Sequence, residues 1–226
     1  MLRPDKKLQE SGFDSDFIDV KIQSDLNLSG WLGKSEPQEQ IRNFYVTFEL
    51  FSLIKEGDET REIVGQAACN YLSGFDATRG RLLDLREIAE AGGEDLFSAV
   101  ALVTNEFGIL SDHFPGTDIM HIDNFYIHPR FRGLGFGQAL FPMLIDTVGR
   151  GASVITTIPR PTKDDGRERI DPNDPRHKAI LKSMTKFIQR FGFFQIDKRA
   201  PVWVKDTHLQ SRLERLTATN VWDEEG

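Results

Sequence analysis

Along the first part of the chain, apolar residues return at every second position. Phe17-Ile-Asp-Val-Lys-Ile22 alternates and predicts a strand. Phe44, Val46, Phe48 and Leu50 alternate with Tyr45, Thr47, Glu49 and Phe51 and predict a second, stronger one. Between them, Gly30 to Gln40 is rich in Gly, Pro and Glu and reads as a loop. Gly57-Asp58 is a turn signal, so Glu62 to Leu72 can return as a hairpin partner, and this region reads as a β-meander. From Arg81 to Val103 the period becomes helical. Leu82, Leu85, Ile88 and Ala89 share one face, Gly92-Gly93 interrupts, and Leu96, Val100 and Val103 resume. Two short helices inserted between strands are expected, either shaping a substrate pocket or completing the core.

The second half reads strand, loop, helix, strand, helix, strands. Asp118 to His128 is a strand, and the β-branched run Ala152 to Ile158 predicts a buried one. His177 to Phe191 is an amphipathic helix, with Ile180, Leu181, Met184, Phe187, Ile188 and Phe191 on one stripe and Gly192 as its cap. Phe193-Phe-Gln-Ile196 and Val202-Trp-Val204 are expected as closing strands, and Thr207 to Leu216 as a surface helix before an acidic tail. Pro159 to Pro175 is a long charged loop of the kind that often carries function. The expected organisation is a flexible segment 1–16, a domain over 17–205 with a helical insertion at 81–110 and the long loop at 159–176, and a C-terminal segment 206–226.

The most informative stretch is Asn124-Phe-Tyr-Ile-His-Pro-Arg-Phe-Arg-Gly-Leu-Gly-Phe-Gly-Gln-Ala-Leu140. A strand ends, a glycine-rich turn follows, and a helix begins with Leu140, Leu144 and Val148 four residues apart. Turn N–H groups and the positive end of a helix dipole then converge on a point where a phosphate can sit. A Walker loop would need Lys and Ser/Thr after its last glycine, but Gln138 follows Gly137. A dinucleotide loop needs its third glycine three residues after the second, whereas here the glycines are Gly133, Gly135 and Gly137.

What fits is Arg132-x-x-Gly135-x-Gly137 after a strand and Pro129, with Ile127, Gly133 and Leu140 in place. This resembles the pyrophosphate loop of GNAT-family N-acetyltransferases. Phe187-Ile-Gln-Arg-Phe-Gly-Phe193 resembles the same family's Phe-Tyr-x-x-x-Gly-Phe segment, and the order of elements is also similar. The resemblance is specific from about Asp118 to Phe193. It implies an α/β GNAT fold: a central mixed, mostly antiparallel sheet with flanking helices and a V-shaped wedge for acyl-CoA. It implies acetyl-CoA, or another acyl-CoA, as co-substrate. Phe125, Tyr126 and Ile127 would meet the pantetheine arm, and Arg132, Gly133, Leu134, Gly135, Phe136, Gly137 and Gln138 would hold the pyrophosphate. Backbone N–H of Ile127 or a neighbour would stabilise the oxyanion.

Acyl transfer to an amine also needs a base and a proton source for the leaving thiolate. Strict alternation would place His121, Asp123, Phe125 and Ile127 on one strand face and Ile122, Asn124, Tyr126 and His128 on the other. His121 titrates near neutrality, and Asp123 would act through a raised pKa or a water, or hold the ammonium. Both are therefore candidate catalytic residues. The tyrosine that the family segment often carries is replaced by Ile188, leaving Tyr126, Ser183, Thr185 or water as the acid. Pro142 should bend the helix after the loop. Arg160, Lys163, Arg167, Arg169, Arg176 and Lys178, in or beside the long loop, could meet the 3′-phosphate of CoA, but interleaved acids favour a solvated loop.

Composition narrows the picture further. Of 226 residues, 39% are hydrophobic and 28% charged, which suits a soluble globular domain. No run has the length of a membrane span and the N-terminus lacks the core of a signal peptide, so the expectation is a cytoplasmic protein without a membrane partner. A net charge of −7 argues against nucleic-acid binding and mildly favours cationic substrates. The single cysteine, Cys69, excludes an intrachain disulfide and reads as a small core residue; no metal site is expected, and His113 and His177 fit no ligand pattern. The sequence thus reads as an acetyl-CoA-dependent N-acetyltransferase acting on a small-molecule or protein amine. The alternative is a non-catalytic acyl-CoA-binding sensor or interaction module. A homodimer is compatible with the family class.

Overall fold

A computed structural model of the chain describes residues 17–25, 40–53, 59–76, 80–164, 166 and 168–208. The predicted segment 1–16, the 30–39 loop, the Gly57-Asp58 turn and nearly all of the 207–216 helix lie outside these residues. Three long strands, β1 (Phe17–Asp25), β2 (Ile41–Leu53) and β3 (Glu59–Leu72), form the expected antiparallel meander. Alternation in β2 is obeyed, since Val46, Phe48 and Leu50 are buried while Tyr45 is half exposed. A short hairpin, β4 (Phe75–Asp76) and β5 (Arg81–Leu82), precedes the helical pair.

That pair is α1 (Leu85–Ala91) and α2 (Glu94–Val103), divided at Gly92-Gly93 as the sequence suggests. Asp84 caps α1 by accepting from the N–H groups of Arg86 and Glu87. Gly93, at φ 105°, turns the chain into α2 with a backbone that side chains resist. Leu85, Ile88, Leu96, Val100 and Val103 bury their shared stripe against Leu72, Ile119, Val154 and Val204. Burial of each large side chain supplies about 1.5–3 kcal/mol, which is what holds a seven-residue and a ten-residue helix in place.

After β6 (Ile119–Ile127) come a 3-10 turn (Pro129–Phe131), α3 (Phe136–Val148) and β7 (Val154–Thr157). Next are the long loop, α4 (His177–Gln189) and β8 (Trp203–Asp206). Six strands form one sheet in the order β1-β2-β3-β6-β7-β8, in which only β6 and β7 are parallel. This is the mixed, mostly antiparallel α/β sheet expected, with α1 and α2 on one face and α3 and α4 on the other. The helix α3 runs unbroken through Pro142. Phe193 to Ile196, expected as a strand, makes only one bridge, Phe194 to Val204, because the chain turns away at Asp197–Ala200.

Candidate active site

β6 and β7 pair over four positions, from Ile119 with Val154 to Ile122 with Thr157. There Thr157 Oγ1 donates to the Ile122 carbonyl at 2.9 Å, closing the ladder with a buried side chain. Beyond it β7 gives way to Ile158 and Pro159, and proline cannot extend the ladder. β6 continues to Ile127 with β3 alone as partner. His128 N–H donates to Val64 O on the β3 side at 2.8 Å. Since N–H and C=O directions alternate along an antiparallel strand, those of Phe125 and Ile127 face the open edge. Arg132 Nε takes the Ile127 carbonyl there at 2.9 Å, leaving the N–H groups of that edge toward a cavity of about 380 Å³.

Strict alternation along β6 fails at Asp123. Asn124 pairs with Ala68 but Ile122 pairs with Cys69, so Asp123 is an extra residue, a β-bulge. The bulge exchanges the faces on either side of it. Met120, Ile122, Phe125 and Ile127 all pack toward α3 and α4, contrary to the single-face grouping of His121, Asp123, Phe125 and Ile127. His121 lies on the opposite face, 1% exposed, with Nδ1 3.0 Å from Thr156 Oγ1. Burial lowers its pKa to about 4, so it is neutral at physiological pH. Asp123 lines the cavity and His121 does not.

The glycine loop closes the other end of this cavity. Gly133 and Gly135 have φ of 77° and 89°, a region that glycine enters without steric cost, and Gly135 is the N-cap of α3. Because a glycine cap offers no side-chain oxygen, the N–H groups of Phe136 and Gly137 at the start of α3 remain available to an anion. Phe136 is buried, Leu134 packs on the same core, and Gln138 N–H returns to Gly135 O at 3.0 Å. Gly137 borders the cavity; a Cβ on it would sit 3.5 Å from Phe187, in ordinary contact. Phe125, Phe141 and Phe187 form an aromatic wall, with ring centroids 4.9 to 6.2 Å apart.

The long loop folds back over β6 as a strap. Thr162 bridges Arg169, and Lys163 N–H donates to Glu168 O at 2.7 Å. At the tip, Asp164 Oδ1 lies 2.9 Å from Arg132 Nη1, and the Asp164 carbonyl accepts from the Tyr126 hydroxyl. Asn124 Nδ2 donates to Gly166 O at 3.3 Å. At the base, Arg160 and Arg169 both reach Asp95 on α2. Arg176 pairs with Asp174 at 2.8 Å and Lys163 with Glu168. Thus Arg160, Lys163, Arg169 and Arg176 each pair with an acid of the protein itself, and Arg167 lies outside the described residues.

Ile188 is buried and borders the cavity. Among the polar groups near it, Ser183 lines the cavity, Thr185 Oγ1 donates to Lys182 O at 3.0 Å, and the Tyr126 hydroxyl is held by the strap. Sequence reading missed Thr157, Met184 and Phe187 as lining residues. Thr157 carried a faint signal, a hydroxyl at the end of a β-branched run just before Pro159. Cys69 is buried, and burial together with nearby Asp123 pushes its pKa up to about 12. No group of metal ligands occurs among the described residues. Nor is any described helix long and apolar enough to cross a membrane.

Fold and site together define an α/β domain with a mixed six-stranded sheet, a forked edge between β6 and β7, and a glycine loop beside the cavity. No known family profile matches the chain, and no curated protein is detectably similar in sequence. Similar solved structures include a KacT mutant, at 12% identity over 87% of this chain and 98% of that one, TM-score 0.38. AtaTR bound with AcCoA is 11% identical over 88% and 98%, TM-score 0.37. Arylalkylamine N-acetyltransferase 2 from Aedes aegypti is 17% identical over 71% and 72%, TM-score 0.36.

Proposed function

We propose that the chain is an acetyl-CoA-dependent N-acetyltransferase that passes the acetyl group directly to a primary amine. The fork carries this reading: a strand edge that has no ladder partner past Ile122 among the described residues, an apolar cavity beside it, and a glycine loop at its far end. The thioester carbonyl would lie along the edge, where the N–H of Phe125 or Ile127 meets the developing oxyanion. The diphosphate would rest on residues 132 to 138. Asp123 takes the proton from the ammonium, directly or through water, while His121, sealed on the other face, keeps a structural role. Ser183 or water serves the leaving thiolate. A thiol with a pKa near 12 inside the core is a poor nucleophile, which supports transfer without a covalent intermediate at Cys69.

Calorimetric titration with acetyl-CoA and CoA tests this, on wild type and on Gly137→Glu. The helical backbone at Gly137 accepts a side chain, whereas the positive φ of Gly135 would confuse blockage with strain. Wild type should bind, the variant roughly 10-fold or more weakly, as a carboxylate meets the phosphates. Absence of binding to wild type would overturn the reading. Ile188 at the acid position favours one competing reading, a domain that binds acyl-CoA without turnover. Thiol release with an amine panel separates the two, and Asp123→Asn should slow it by roughly 100-fold while leaving CoA binding intact.

A further inference from the structure

Arg160 is a cavity group that the chemistry above does not use. It borders the same cavity as Asp123 and Thr157, near the closed end of the fork. Arg132 stands at the other end, past Ile127, and the five residue steps of β6 from Ile122 to Ile127 separate the two by roughly 16 Å. Arg160 Nη2 bonds to Asp95 Oδ1, and Asp95 Oδ2 also takes Arg169 Nη2 at 2.9 Å. Two guanidinium groups therefore share one carboxylate. Arg160 Nε is buried and has no hydrogen-bond partner among the described residues. A buried donor left unsatisfied costs free energy, and such exceptions in folded proteins mark a missing partner. Burial and Arg169 lower the pKa of Arg160, and nearby Glu94 raises it, so an added anion would relieve both of the unfavourable influences.

We propose that the Arg160 guanidinium receives a carboxylate of the acceptor, making the acceptor a small amino-carboxylic acid whose amine faces Asp123. The assignment rests on the transferase reading for its catalytic consequence. Its chemistry is otherwise self-contained: the Asp95 carboxylate is divided between two guanidinium groups, which leaves Arg160 without an anion of its own in direct contact, and the cavity's own acid, Asp123, suits the ammonium. A neutral carbonyl would satisfy the N–H but not the charge.

The test uses the full chain and matched ligands: proteinogenic amino acids, β-alanine and 4-aminobutyrate, each beside its amide and its decarboxylated amine. In thiol release from acetyl-CoA, kcat/KM for the best acid should exceed that of its amine by roughly 10- to 100-fold, with the amide between. Arg160→Lys keeps a cation for Asp95 but lacks the second donor, so it should retain its melting temperature and acetyl-CoA affinity and lose the preference. Asp95→Asn keeps Nε and should retain the preference. An indifferent wild type, or a preference that survives Arg160→Lys, would overturn the assignment. If acetyl-CoA does not bind, the transferase reading fails. Calorimetric binding of the acids alone, present in wild type and lost in Arg160→Lys, then still decides for Arg160, and its absence decides against.

Discussion

Arg132 Nη1 stands 2.9 Å from Asp164 Oδ1, so the arginine at the mouth of the glycine loop already holds a carboxylate from the chain's own strap. A ligand phosphate arriving at Arg132 must compete with it. The pair is largely exposed, so its strength is about 0.5–1 kcal/mol. Asp164→Ala should therefore tighten CoA binding by about 2- to 5-fold, with the gain shrinking as salt is raised. Calorimetry at two ionic strengths measures it, and unchanged affinity would mean that no anion binds at Arg132.

Thr157 sets where the fork opens. Thr157→Val removes a buried donor and leaves the Ile122 carbonyl without its partner, for a loss of about 1–3 kcal/mol. Urea unfolding should show this with an unchanged m-value. A fork held only by backbone pairing would show no loss.

His121 makes stability depend on pH. Its folded pKa of about 4 lies below the ordinary 6.5, so between these values the unfolded chain binds a proton that the folded one does not. The contribution is complete above pH 6.5 and is lost as pH falls through 4, for a total of ~3 kcal/mol. In His121→Gln that part of the slope should vanish. Denaturant midpoints at several pH values in this window decide it, and parallel curves for the two proteins would refute the burial argument.

Gly65 keeps β3 against the end of β6. A Cβ on it would lie 2.4 Å from the Tyr126 carbonyl oxygen, a backbone atom that cannot swing aside. Gly65→Ala should cost about 1–3 kcal/mol and weaken acetyl-CoA binding through displacement of the Phe125–Ile127 edge. Gly137→Ala, with only ordinary contacts, should change stability little. Melting temperatures of the two variants provide the comparison.

Much of the fold was legible because it follows from local periodicity. Val46, Phe48 and Leu50 at period two, and the stripe broken at Gly92-Gly93, each describe an element that neighbouring residues determine together. The loop after Ile127 was legible for a similar reason: glycine at Gly135 answers a backbone angle that few other residues accept.

Faces and partners were another matter. The Asp123 bulge reverses which side chains of β6 look toward α3 and α4, and it arises from register with Ala68 and Cys69, which no residue beside Asp123 announces. Consequently His121 and Asp123, adjacent in the alternating pattern, part company. The strap over Tyr126 and Arg132, and the meeting of Arg160 and Arg169 on Asp95, join residues 32 to 74 positions apart. Sequence alone fixed the strand, the glycine turn and the helix, because short-range sterics and burial period suffice for them. Only tertiary structure decided which charged groups reach the cavity, because pairing register and long-range packing place them there.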